Sequence, residues 1–457
     1  MKEIRAVSPC ACVGLGPTSW PAFERALEIE PHFVAADMGS TDPGPYYLGS
    51  GKEHFPRFNA KRDLDMMIVA SLARGIPTIV GTAGGNGAKP HVDWTIEIVE
   101  EIARERGIKF RMALIYSDVD KSLVRKHLKK NAIRSVDGSP PLTEGELDAT
   151  TYLVAQMGVE PLMAALDTGA DLILAGRACD DALFAAVPLK NGYDRGLSLH
   201  MGKILECAAV SAVPRFGYSA MTAWLREDHF LVEPADPERI CTITSVAAHS
   251  LYERSTPLAE AGPGGVVDLT DTVFEQHTDR AVKVSGTRFV PDDQYCLKLE
   301  GAKLAGYRSI SVVGIRDLVM IASLDEVREK VMGILRNHLS NAGHQEGRDY
   351  SICHHVYGKN AIMGRLEPEI RVTSHELGVV TDVIASDQTL AHDICDLATI
   401  TMFTVGFQGQ KSTAGNVAML TCPWTIDVGP FYTFSVYHLL PVDDPLKLFP
   451  IEVVEVG

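Results

Sequence analysis

The sequence predicts an α/β protein: a mostly parallel, doubly wound sheet in an N-terminal domain, then a smaller α+β domain of two-layer, split-βαβ type. Three observations predict it. Through the first 215 residues, short apolar runs alternate with stretches of helical periodicity, the pattern of a parallel sheet with crossover helices. Beyond about residue 306 the order changes to strand, helix, strand, strand, helix. The length of 457 residues also exceeds what one core usually serves, ~250–300 residues. We therefore divide the chain into a parallel α/β domain (1–215), a β-rich connecting region (216–305) and an α+β domain (306–457).

The first strand falls in "AVSPCACVGLG" and leads to a short helix at "WPAFERALEIE". "HFVAAD" is the second strand, followed by a long irregular loop and a helix at residues 61–74. "PTIVGTAGG" is the third; the helix "DWTIEIVEEIARERG" after it places Ile96, Val99, Ile102 and Ala103 on one face. "KFRMALIYSD" is the fourth. Two helices follow, "LTEGELDATTYLVAQMG" and "EPLMAALDTG", before the fifth strand, "ADLILAGR", and a long helix over residues 196–212 that stops before Pro214. The second domain reads as strand "SISVVGI", helix "LDEVREKVMGILRNHL", strands "YSICHHVYG" and "ELGVVTDVIA", and helix "QTLAHDICDLATITMF".

The predicted parallel strands end in glycine or carboxylate clusters: Asp37, "GTAGGNG", "SDVD" with Asp118, and "GRACDD". Ligands of open parallel sheets bind beyond the carboxyl ends of the strands, so the clusters point to one cleft. Turn formation alone also asks for Gly, Asp and Ser there. The loop "ADMGSTDPGPYYLGSG" has a turn signature at Asp42-Pro43-Gly44, and Ser40 and Thr41 offer hydroxyls to a carboxylate or phosphate oxygen. In "GTAGGNGAKP", Gly84, Gly85 and Asn86 precede a helix and suit an anion, but neither GxxxxGK[ST] nor GxGxxG is present, so no strong nucleotide motif exists.

"LAGRACDDALFAAVPLKNGYDRGLSLHMGKILECAAV" is the densest segment. Arg177 leaves a strand end, where a guanidinium can grip a carboxylate; Asp180 and Asp181 either cap the next helix or line the site. His200 and Lys203 share a helical face and form an acid/base pair if aimed at the cleft, with Asp42 the alternative carrier. The competing arrangement is a Lys203–Glu206 ion pair beside a packed histidine. Late in the chain, "GFQGQKSTAGNVAML", with Asn416, has the amide and hydroxyl content of a lid or docking loop.

Several classes are disfavoured. Lys and Arg total 43 against 59 Asp and Glu, and this net charge of −16 speaks against nucleic acid as the main ligand. Nine scattered cysteines without a CxxC pair indicate reduced thiols, and no signal peptide or membrane span is evident, so a cytoplasmic location is expected. No HExxH, CxxC or three-His pattern appears, leaving metal use unassigned; Mg²⁺ held by Asp37, Asp42 or Asp118 with substrate oxygens is the option the carboxylates suggest. GxSxG is missing.

The strings "AGRACDDALFAAVP", "HMGKILECAA", "GFQGQKSTAGNVA" and "GPFYTFSVYHLL" together resemble the acyclic terpene utilisation (AtuA) family of bacterial proteins, with "GSTDPGP" as a subgroup feature. The resemblance implies catabolism, with carboxylic acids or their CoA thioesters as substrates, and often a small companion protein. It supplies no agreed catalytic set. The polar loops fit a small acid better than a prenyl chain. The expectation is an oligomeric enzyme acting on a small carboxylate or acyl-CoA by proton transfer, as hydro-lyase or isomerase. The alternatives are a nucleotide- or CoA-using ligase or carboxylase component, and a non-catalytic subunit of a two-protein complex.

Overall fold

The computed structural model describes residues 2–136, 138–252 and 256–457. The chain forms two compact units, one of residues 1–303 and 434–457, the other of residues 304–433.

The first unit is built on a mixed ten-stranded sheet. From one edge its order is Val273–Gln276, Val282–Ser285, His229–Pro234, Met221–Leu225, Ile4–Ser8, Phe33–Asp37, Thr78–Gly81, Leu172–Ala175, Phe110–Ile115 and Ile451–Val456. The five strands from Ile4–Ser8 to Phe110–Ile115 run parallel. Antiparallel strands flank them on both sides. Alternate residues of the parallel strands enter different cores: Ile4, Phe33, Ile79 and Ile173 one, Val7, Val34, Val80 and Leu174 the other. Burial on both faces explains why these strands read as continuous apolar runs.

Three local expectations change. The stretch read as one helix, "LTEGELDATTYLVAQMG", is a short helix, Glu144–Ala149, and then a strand, Tyr152–Gln156. Thr150 and Thr151 end the helix, because β-branched residues lose side-chain freedom there, and the strand pairs with residues 298–302. The long helix after "GYDRG" stops at Leu205, and a 3₁₀ turn, Ala208–Ser211, takes up the rest. The loop after the second strand is not wholly irregular. Pro45 opens a helix, Pro45–Ser50, and its Leu48 is fully buried. Its turn sits one residue earlier than predicted, closed by the Gly44 N–H donating to the Thr41 carbonyl at 3.0 Å.

Two further antiparallel pairings in this unit join Arg134–Ser135 to residues 438–439 and Tyr152–Gln156 to the strand of residues 298–302. The charged residues Lys298 and Glu300 alternate along it on one face.

In the second unit, Leu377–Ala385 lies between two antiparallel neighbours, residues 307–315 and Tyr350–Tyr357. Helices Leu324–Asn341 and Gln388–Thr404 supply its core, around Val331, Leu335, Ala398 and Met402. Among the described residues, no helix is long and apolar enough to cross a membrane.

Candidate functional site

Arg177 organises the carboxyl edge of the parallel strands. It follows strand Leu172–Ala175, and its backbone N–H donates to Ser117 Oγ at 2.7 Å, just beyond strand Phe110–Ile115. Ser117 in turn donates to the Gly87 carbonyl at 2.8 Å. Gly87 is required here: a Cβ on it would lie 2.1 Å from the Arg177 nitrogen. The guanidinium is buried and donates from Nε to Glu300 Oε2 at 2.7 Å and from Nη1 to the Ala178 carbonyl at 2.9 Å. Thr82 Oγ1 lies 3.4 Å from Nη1. Thr82 is a β-branched residue at φ +50°, so its backbone is strained where it meets the site.

Glu300 is committed on both oxygens. Oε1 accepts from Thr41 Oγ1 at 3.1 Å and faces Lys298 Nζ at 2.8 Å. Burial pushes its carboxyl up, but Arg177 and Lys298 outweigh that and hold it down to about 2. Arg177 is therefore paired within the chain.

Three further carboxylates lie nearby, of which Asp37 and Asp180 act on Arg177. Asp37, at the end of strand Phe33–Asp37, accepts the Gly39 N–H on Oδ2 at 2.6 Å, while its buried Oδ1 has no hydrogen-bond partner among the described residues. Burial and Asp180 raise its pKa well above the carboxylate range. Asp180 opens helix Asp180–Lys190 and is held only loosely, 3.5 Å from Arg177, with its side chain 30% exposed. Burial raises its pKa against the pull of Arg177, Lys203 and Lys298. Asp181, next on the helix, has a buried Oδ1 with no hydrogen-bond partner among the described residues, and burial together with Glu260 pushes it up to about 7.

Lys203 reaches this group from helix Arg195–Leu205. The two helices touch at Gly202, where a Cβ would lie 2.3 Å from the Asp181 carbonyl oxygen. That contact explains the glycine in "HMGK". Lys203 Nζ donates to Glu206 at 2.6 Å and lies 4.9 Å from the Tyr252 ring centroid. Burial works against its ammonium, but Glu206 and Glu260 prevail and its pKa is raised. Glu206 is raised by burial, opposed by Lys203. Cys207 Sγ sits 3.2 Å from the Tyr252 hydroxyl.

The other singled-out residues divide. Thr41 reaches the network through Glu300; Ser40 and Asp42 bond to each other at 2.8 Å in an exposed turn, although Asp42 still acts electrostatically on Asp180. Asn86 Nδ2 holds the Ser40 carbonyl at 2.6 Å. In the glycine loop, the Gly84 N–H points to Met38 Sδ, and those of Gly85 and Gly87 to the Thr82 and Ala83 carbonyls, so these amides serve the loop's own turn. Asp118, raised by burial, has Lys89 and Asp93 as its charged neighbours. His200 is buried elsewhere, between Thr287 Oγ1 at 2.7 Å and Ser250 Oγ at 2.8 Å, edge-on to Phe230 and Phe274. Asn416 lies in the second unit, where it bonds to the Met402 and Val405 carbonyls at the end of helix Gln388–Thr404. Among the described residues no group of three His, Cys, Asp or Glu side chains is arranged to hold a metal ion.

Lys298, Glu300, Glu260 and Thr82 are the members that sequence reading missed. For Lys298 and Glu300 a signal was present: "CLKLEG" sets two opposite charges on one face of an otherwise apolar strand.

No curated protein and no solved structure matches the chain. The family model for "acyclic terpene utilisation family protein AtuA" matches residues 54–421, so the chain belongs to the AtuA family.

Proposed function

We propose that this protein is a catabolic enzyme that moves a proton on a small carboxylic acid or its thioester, as a hydro-lyase or isomerase. The family's link to terpene utilisation supports the catabolic setting. The observation that carries the chemistry is the environment of Asp180: a half-buried carboxylate of raised pKa near three cations, none closer than 3.5 Å as an ion pair. A carboxylate of raised pKa takes up a proton more readily than an ordinary aspartate.

In this reading Asp180 takes the proton from the carbon next to the substrate's carbonyl group. Lys203, kept charged by Glu206 and Glu260, stabilises the enolate that forms and returns a proton to carbon or to a departing hydroxyl. Asp37 and Asp181 are proton reserves behind Asp180. Arg177 and Glu300 position the others and do not touch substrate.

The experiment is proton exchange in D₂O. Hydroxy and unsaturated di- and tricarboxylates, and short acyl-CoAs, are incubated with the purified chain and followed by ¹H NMR for loss of a C–H signal. The expected result is exchange into at least one of them, lost in Asp180→Asn and Lys203→Met. Exchange that persists unchanged in both variants would remove the basis of the proposal.

A further inference from the structure

A cavity of about 360 Å³ in the first unit adjoins this network. Its walls include Arg134, Gln156, Tyr437, Lys298 and Glu260, so it shares Lys298 with the Arg177–Glu300 pair and Glu260 with the surroundings of Lys203. Two antiparallel strand pairings explain the convergence. Gln156 is the cross-strand partner of Lys298, and Arg134 that of Leu439, two residues from Tyr437. Partners in an antiparallel pair point to the same face.

Among the described residues, three of these polar groups keep hydrogen-bonding capacity to spare. Arg134 donates from Nη2 to Cys296 Sγ at 3.1 Å, and no carboxylate of the described residues pairs with it. Neither the Gln156 amide nor the Tyr437 hydroxyl makes a hydrogen bond among the described residues. Lys298 stands 5.2 Å from the Tyr437 ring centroid, which fixes that ring beside the cavity. A guanidinium, an amide and a phenol with unused hydrogen-bonding capacity around one space make a recognition site for a carboxylate. Two carboxylates share the walls: Glu260, electrostatically tied to Lys203, and Asp292 at the exposed rim. They repel an anion, which Arg134 attracts.

We infer that this cavity is the substrate pocket and that Arg134, with Gln156 and Tyr437, anchors a carboxylate of a free di- or tricarboxylic acid. The anchored acid extends toward Lys298, whose charge Asp180 also feels. The volume lies near the lower limit for ligand sites, about 300–1,000 Å³, and takes a short acid whole but not a CoA group. This inference rests on the proposed function for its chemistry, though not for its binding.

The test uses acids with no reactive group: butyrate, succinate and tricarballylate, titrated calorimetrically into the full chain. Succinate or tricarballylate is expected to bind and butyrate to bind more weakly. Arg134→Gln should lower the affinity about tenfold and Tyr437→Phe by a smaller factor, with melting temperatures unchanged. Absence of heat from all three acids at millimolar concentration, or wild-type affinity in both variants, overturns the inference. Failures remain separable. Binding that depends on Arg134 without exchange in D₂O retains the pocket and rejects the chemistry, whereas exchange lost in Asp180→Asn with Arg134→Gln fully competent does the reverse.

Discussion

Glu300 and Arg177, 123 residues apart in the chain, meet at 2.7 Å with side chains 0% and 4% exposed. The pair joins the strand of residues 298–302 to the carboxyl edge of the large sheet. Removing one partner of a sealed ion pair leaves the other charge unpaired, a loss of about 3–5 kcal/mol. Glu300 also holds Lys298 and Thr41, so Glu300→Gln should lose stability in that range by urea unfolding. A loss under about 1 kcal/mol would mean that water reaches the pair and that its network is surface chemistry.

Gly202→Ala tests how Lys203 is positioned. Alanine suits a helix interior better than glycine by about 1 kcal/mol, so an open site would be stabilised. Here the methyl group would collide with the Asp181 backbone carbonyl at 2.3 Å, which cannot swing aside like a side chain. The expected outcome is destabilisation by about 1–3 kcal/mol together with loss of proton exchange, measured on the same preparation. A more stable and fully active variant would show that the two helices do not need this contact.

Asp181 gives a pH signature. Its folded pKa, pushed up to about 7 by burial and Glu260, lies above its unfolded value. The folded state therefore binds the extra proton, and the associated stability is complete below pH ~4 and lost as pH rises toward 7. The loss amounts to at most about 4 kcal/mol over that window. Asp181→Asn should flatten this part of the stability–pH curve and leave the protein relatively more stable at neutral pH. Equal slopes for variant and wild type would place the Asp181 carboxyl in water.

Sequence and structure agree where periodicity is strong. The five parallel strands and the helices Lys89–Arg106, Leu324–Asn341 and Gln388–Thr404 were legible because each has a long buried stripe or an unbroken apolar run. Strand Tyr152–Gln156 was not, because five residues following a helical pattern show no period of their own and are fixed by pairing with residues 298–302. The same long-range pairing hid half of the candidate site. Asp37, Asp180 and Arg177 were visible at strand ends, where the topology rule looks. Glu300 and Lys298 sit mid-strand, and only tertiary contact brings them to Arg177. Helical spacing put His200 and Lys203 on one face, but it does not say which neighbour each side chain meets.

His200 and Lys203 can be told apart directly. Both ring nitrogens of His200 have hydroxyl partners, Thr287 and Ser250, and its ring packs against two phenylalanines. Lys203 instead stands among Glu206, Glu260, Asp180 and Asp181. His200→Asn should cost about 2 kcal/mol of stability through lost packing and stranded hydroxyls, yet keep proton exchange within about threefold below its melting temperature. Lys203→Met strands the buried Glu206 and should cost up to about 3–5 kcal/mol of stability, and below its melting temperature it should lower exchange by about 10²–10⁴, the usual contribution of a positioned acid or base. Thermal unfolding and NMR exchange rates measured side by side make the comparison. If exchange disappears with His200→Asn and survives Lys203→Met, the proton carrier is His200 or a group it contacts, and the cluster around Asp180 serves stability alone.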